Sequence, residues 1–125
     1  MKYEKFSLNK RLKSFPYAFN GLKILLREEH NSILHLLAAT GVVAAGIYFK
    51  LSACEWVAVA FAIGLVISLE IINSVIENVA DFVSPSKNEK IKKIKDLSAA
   101  AVLVSSLTAL AIGAIVFVPK IVALW

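Results

Sequence analysis

Three apolar runs, 33–49, 56–69 and 97–118, constrain this chain more than any other feature. At 1.5 Å per residue the first covers about 26 Å and the third about 33 Å, close to a bilayer hydrocarbon core of about 30 Å. Uncharged runs of that length read as transmembrane helices. The rest of the chain agrees: 58% of its residues are hydrophobic and the mean hydropathy is +0.73, far above an ordinary soluble domain. The expectation is an all-α membrane protein whose 125 residues form a single integral domain.

The flanks organise these spans. Residues 1–13 are polar and basic, with Lys2, Lys5, Lys10, Arg11 and Lys13, and form a short arm. The first thirty residues are too polar for a secretory signal peptide and lack its small-residue cleavage site, so the mature chain is expected to start where the sequence does. From Ser14, read as an N-cap with Pro16 in the first turn, Phe15, Phe19, Leu22, Leu25 and Leu26 recur at helical spacing against Asn20, Lys23 and Arg27. This predicts an amphipathic interfacial helix over 14–30. Helices over 33–49, 56–83 and 97–118 follow, with a tight turn at "KLSACE" (50–55) and a solvated loop at "SPSKNEKIKK" (84–93). Pro119 and Lys120 close the last span and Trp125 anchors it at the interface. The lone Cys54 allows no internal disulfide and reads as a small hydrophobe.

Charge sets the orientation. Seven Lys/Arg precede the first span and five separate the second from the third, against Lys50 and Lys120 alone on the other side. The N-terminus and the 84–96 loop are therefore expected in the cytoplasm. The net charge of +5 then serves topology and anionic headgroups, and nucleic acid is set aside as a partner.

The second span carries an anomaly. Its end reads "EIINSVIENVAD" (70–81), placing Glu70, Asn73, Glu77 and Asp81 at about 0°, 300°, 340° and 20° around the helix, one narrow face along about 16 Å. Carboxylates in a bilayer cost a few kcal/mol each unless they face a polar interior. A polar stripe that only glues helices together needs no more than Asn73. Three acids call for cations, and Lys95, beside Asp96, starts the third span at the depth where the stripe ends. Acids plus a lysine at a cytosolic surface supply what phosphoryl transfer requires: oxygen ligands for Mg²⁺, a cation on phosphates and a carboxylate to take a hydroxyl proton. The chain has no GxxxxGK loop, so side chains and metal would hold the phosphates. Acid-lined helices also mark cation or proton carriers, and a non-catalytic assembly subunit is a third reading. His30 and His35 share no helical face well and make a poor metal pair, with His35 read as a hydrogen-bonding group near the membrane surface. Ala101, Ser105, Ala109 and Gly113 read as a packing face.

"EIINSVIENVAD" followed by "KIKDLSAAAVL" resembles the paired signature of the small prokaryotic lipid kinases, the diacylglycerol kinase and undecaprenol kinase family, and "SFPYAFNGLKILLREEHNSILHL" is similar to that family's amphipathic helix with its following Glu, Asn and His. The likeness spans about residues 10–118. It implies a multi-pass protein of the bacterial inner membrane, assembled as a homotrimeric helical bundle with sites shared between protomers, so that Glu29 serves with a neighbour's stripe. It implies transfer of the γ-phosphoryl group of ATP to a membrane lipid, undecaprenol first and diacylglycerol second. By the same resemblance Glu70 is the base; Glu29 and Glu77 hold Mg²⁺ with ATP; Asn73, Asp81 and His35 support them or the substrate; Lys95 and Asp96 contact the nucleotide; and Lys10, Arg11, Tyr17, Ser86, Lys87 and Asn88 lie within its reach. Ile33 stands where undecaprenol-acting members carry a basic residue, and the 84–93 loop lacks the common His-Pro pair.

Overall fold

The structure, a computed structural model, describes residues 5–125, which form five α-helices: α1 (Leu8–Leu12), α2 (Ser14–Glu28), α3 (His30–Phe49), α4 (Ala53–Val83) and α5 (Glu89–Val122). Three of these, α3, α4 and α5, are long and apolar enough to cross a membrane. Lys2, expected in the basic arm, lies outside the described residues.

Each boundary has a local cause. Ser7 caps α1 by accepting from the Lys10 amide, so part of the expected arm is helical. Ser14 does not cap α2. Lys13 keeps a helical backbone (φ −68°, ψ −15°), and the Ser14 hydroxyl donates backwards to the Arg11 carbonyl at 2.6 Å. The helix expected over 14–30 stops at Glu28, because Glu29 is extended (φ −109°, ψ 104°). The first span then starts at His30, three residues earlier than its apolar run.

The α3–α4 turn is a Schellman motif. Lys50 adopts the left-handed conformation (φ 55°), and the Leu51 amide returns to the Gly46 carbonyl at 3.1 Å while the Lys50 amide reaches Ile47 at 3.3 Å. Ser52 and Glu55 form a reciprocal capping box that starts α4. The expected loop 84–93 shrinks to 84–88. Asn88 caps α5 by accepting from the Ile91 amide at 2.9 Å, and the lysines that follow are good helix formers. Pro119 does not end α5 either. A proline removes its own N–H, which deprives only the Ile115 carbonyl, and apolar membrane helices tolerate that loss.

Packing is strongest between α4 and α5, with α3 laid more lightly along α4 and α2 folded back over the start of α3 and the second half of α4, the end opposite the α3–α4 turn. The buried core sits near the α3–α4 turn, where Leu51, Val59 and Val116 meet Phe49, Trp56 and Phe117. The Trp56 ring lies over Gly46, where a β-carbon would come within 2.6 Å of it. At the same end Lys120 Nζ stands 3.1 Å from Glu55 Oε2 and ties the start of α4 to the end of α5. Val57, Phe61, Leu103, Leu107 and Leu110 point outward and are more than half exposed, as helix faces turned to lipid or to another chain must be.

Candidate active site

The polar face of α4 is met in turn by α3, by the break between α2 and α3, and by α5. Glu70 is the deepest and only 5% exposed. Nε2 of His35, from α3, lies 2.8 Å from its Oε1. The pair forms the floor of a cavity of about 350 Å³ walled by Leu22, Leu25 and Leu26 of α2, Leu36 of α3 and Ile67 of α4. His35 and Ile67 also line a second, smaller cavity of about 130 Å³ that runs between α3, α4 and α5 past Ala38, Ala39, Ala62 and Gly113. A buried carboxylate therefore sits at the end of an apolar groove, where an alcohol on a hydrocarbon tail can reach it.

One turn further along, Ser74 donates to Glu29 Oε1 at 3.3 Å. This contact explains the break between α2 and α3. The extended backbone at Glu29 lets its carboxylate reach α4, and the buried Ser32 hydroxyl fastens the break by facing the Glu29 carbonyl at 2.6 Å and the Leu25 carbonyl at 3.1 Å. Glu77, half-buried, follows Ser74 by three residues and so lies on the same helical face. Glu29 thus stands beside the stripe of its own chain.

The remaining levels are held by α5. The Ser98 hydroxyl donates to Asn73 Oδ1 at 2.6 Å, with Ser98 buried, and Lys95 Nζ binds Asp81 Oδ1 at 2.5 Å. Asp96 turns away from α4 and pairs with Lys92 at 2.6 Å on the exposed side of α5. There a shallow cavity is lined by Lys87, Asn88, Lys92, Lys95 and Asp96. Asn88 spends its side chain on the cap of α5 and on Ser84, and the Ser86 carbonyl accepts from the Ser84 hydroxyl. Lys10 lies on the exposed surface of α1, Arg11 stacks on Phe6 at 5.6 Å, and Tyr17 is 78% exposed on α2. Neither Arg11 nor Tyr17 touches the α4 face through a hydrogen bond or ion pair.

Sequence reasoning missed Ser32, Ser74 and Ser98. Ser74 had a signal, since it sits at about 40° on the same wheel as Glu70 and Asp81. Among the described residues no three His, Cys, Asp or Glu side chains converge as a metal cluster. Mg²⁺ needs no such cluster, because it keeps waters and phosphate oxygens and takes only one or two protein carboxylates, and Glu29, docked on Ser74, and Glu77, one turn beyond Ser74 on α4, are the acids that could supply them.

A buried acid in an apolar groove with further acids toward one end is what a lipid-modifying enzyme needs, and comparison with known proteins decides the class. Residues 16–117 match the family described as prokaryotic diacylglycerol kinase. The chain belongs to that family. It is 35% identical over 114 residues to the undecaprenol kinase of Bacillus subtilis (strain 168), covering 91% of this chain and 93% of that protein. It is also 31% identical over 114 residues to the diacylglycerol kinase of Synechocystis sp. (strain ATCC 27184 / PCC 6803 / Kazusa), covering 90% of this chain and 65% of that longer protein. The family is one of membrane lipid kinases, and its chemistry is nucleotide-dependent phosphorylation of a lipid alcohol.

Proposed function

We propose that the chain transfers the γ-phosphoryl group of Mg·ATP to the hydroxyl of a membrane lipid, with undecaprenol as the first-ranked acceptor and diacylglycerol as the second. The observation that carries the reading is Glu70: an acid 5% exposed that lines an apolar groove, with Glu77 about two turns on along the same face of α4 and Glu29 docked between those levels on Ser74. The lipid tail stays in hydrocarbon while its hydroxyl reaches Glu70. Glu70 takes the proton, the hydroxyl oxygen attacks the γ-phosphorus, and ADP leaves. Glu29 and Glu77 would hold Mg²⁺, which supplies neutralisation of the phosphate charge when bound. Lys95, with Lys87, Asn88 and Asp96 around the cavity at the start of α5, would contact the nucleotide, Asp96 leaving Lys92 to do so, and Lys10, Arg11 and Tyr17 would reach it from the N-terminal helices; Asn73, Asp81 and His35 support the acids. Catalysis is then mainly positioning and charge neutralisation.

The Lys/Arg asymmetry supports an N-terminus and an α4–α5 loop on the cytoplasmic side of the bacterial inner membrane. The exposed apolar faces of α4 and α5 suit a homotrimer. Undecaprenol ranks first because the relative named for it is matched over 93% of its length and at the higher identity. The test is transfer of labelled γ-phosphate from ATP to undecaprenol, diacylglycerol and ceramide in mixed micelles. Label in undecaprenol above the others supports the proposal; label in diacylglycerol alone reverses the ranking; no label in any lipid alcohol rejects it.

A further inference from the structure

His35 stands at the junction of the two cavities, and its ring lies against the acid that the reaction depends on. A ring nitrogen and a carboxyl oxygen 2.8 Å apart share a hydrogen bond, and with Glu70 acting as the base its donor is the His35 Nε2–H. A carboxylate as buried as Glu70 is costly unless a donor meets it, and among the described residues His35 is the polar side chain that does. The contact engages Oε1 and, among the described residues, leaves Oε2 without a protein partner. A glutamate side chain turns about three bonds, and among the described residues the His35 ring is the one polar group that fixes which way the Glu70 carboxylate faces.

We propose that His35 is a positioning residue, whose Nε2–H clamps Glu70 Oε1 so that Oε2 faces the acceptor hydroxyl. The inference rests on the reading of Glu70 as base. The hydrogen on Nε2 stays where it is. In the transfer the hydroxyl proton passes to Glu70 Oε2, the new bond joins the lipid oxygen to the γ-phosphorus, and the bond from that phosphorus to the bridging oxygen breaks to release ADP. His35 never touches the phosphate. It acts by sparing the carboxylate a search for its productive rotamer, which is where a misplacement of about 1 Å costs about 100-fold in rate.

The test compares His35→Ala, His35→Gln and His35→Asn, each purified as the full chain and assayed with labelled ATP and the best lipid of the panel. A glutamine amide nitrogen reaches nearly as far as Nε2, whereas that of asparagine reaches only as far as Nδ1. His35→Ala and His35→Asn should lower kcat by about 10- to 100-fold with little change in either KM, and His35→Gln should restore most of the loss. In a Glu70→Gln background His35→Ala should cost nothing more. Thermal unfolding in detergent checks the fold of each variant, and the Gln-versus-Asn comparison decides the matter even where Ala fails to fold. Wild-type kcat in His35→Ala, equal losses in Gln and Asn, or a change confined to the lipid KM would overturn the inference. Those results with an inactive Glu70→Gln leave the base reading standing; an active Glu70→Gln removes that reading itself.

Discussion

Replacing Glu70 by glutamine removes a charge and a proton acceptor while keeping the shape of the side chain. The structure argues that little else changes. The amide oxygen can still face His35 Nε2, now 2.8 Å from Glu70 Oε1, so no buried group loses its partner. Loss of a general base costs about 10²- to 10⁴-fold in rate. At 1.36 kcal/mol per tenfold, the barrier rises by about 2.7 to 5.4 kcal/mol. Glu29 meets α4 at Ser74, one turn from Glu70, and Glu77 lies about two turns away, so the nucleotide should bind as before. Initial rates of γ-phosphate transfer in mixed micelles, with the KM for ATP measured alongside and thermal unfolding as a control, separate these effects. Near-normal turnover would refute the base assignment. A loss of rate matched by an equal loss of nucleotide affinity would refute the division of labour along the α4 face.

Two other consequences follow from the geometry. Glu77→Gln and Glu29→Gln should each weaken Mg·ATP binding at least tenfold, read by nucleotide titration, since an ion held by two carboxylates loses half its protein ligands; unchanged affinity in both would remove the metal role. Gly46→Ala should destabilise the α3–α4 end by about 1 to 3 kcal/mol, because the new methyl would sit 2.6 Å from Trp56 and 3.0 Å from Leu51, and a lower unfolding temperature in detergent measures it.

The first and third spans were legible in the sequence because hydropathy over 17 or more residues reports the bilayer directly, and the 14-residue run 56–69 could be extended to 83 because no Gly or Pro interrupts it. Their ends were not, because ends depend on single side chains. "KIKKIK" reads as loop by polarity, yet lysine is a good helix former and Asn88 supplies the cap, so α5 starts at Glu89. Pro119 reads as a stop, but its effect falls on one carbonyl a turn earlier. The break at Glu29 has no glycine or proline to announce it; it is fixed by a hydroxyl three residues on and by docking to Ser74 on another helix. The acidic face was readable from its spacing alone. Its partners were harder, since a serine in an apolar helix most often bonds its own backbone, as Ser105 does; Ser74 is set apart by its place on the acidic face, but nothing local distinguishes Ser98. His35 was read as a surface hydrogen-bonding group for a related reason: which helix face it meets depends on how α3 is rotated against α4.

The central claim is that metal, nucleotide and acceptor meet at the Glu70–Glu77 end of α4. Cys54 makes it measurable without mutation: it is the chain's single cysteine and, against the expectation of a buried thiol, it is exposed, in the first turn of the same helix. Glu77 lies 23 residues further on, about 35 Å along the axis. With Mn²⁺ in place of Mg²⁺, a non-hydrolysable ATP analogue and a nitroxide on Cys54, pulsed electron spin resonance should give a metal-to-label distance near about 35 Å that disappears in Glu77→Gln. A distance below about 20 Å, or a signal indifferent to Glu77, would contradict the account.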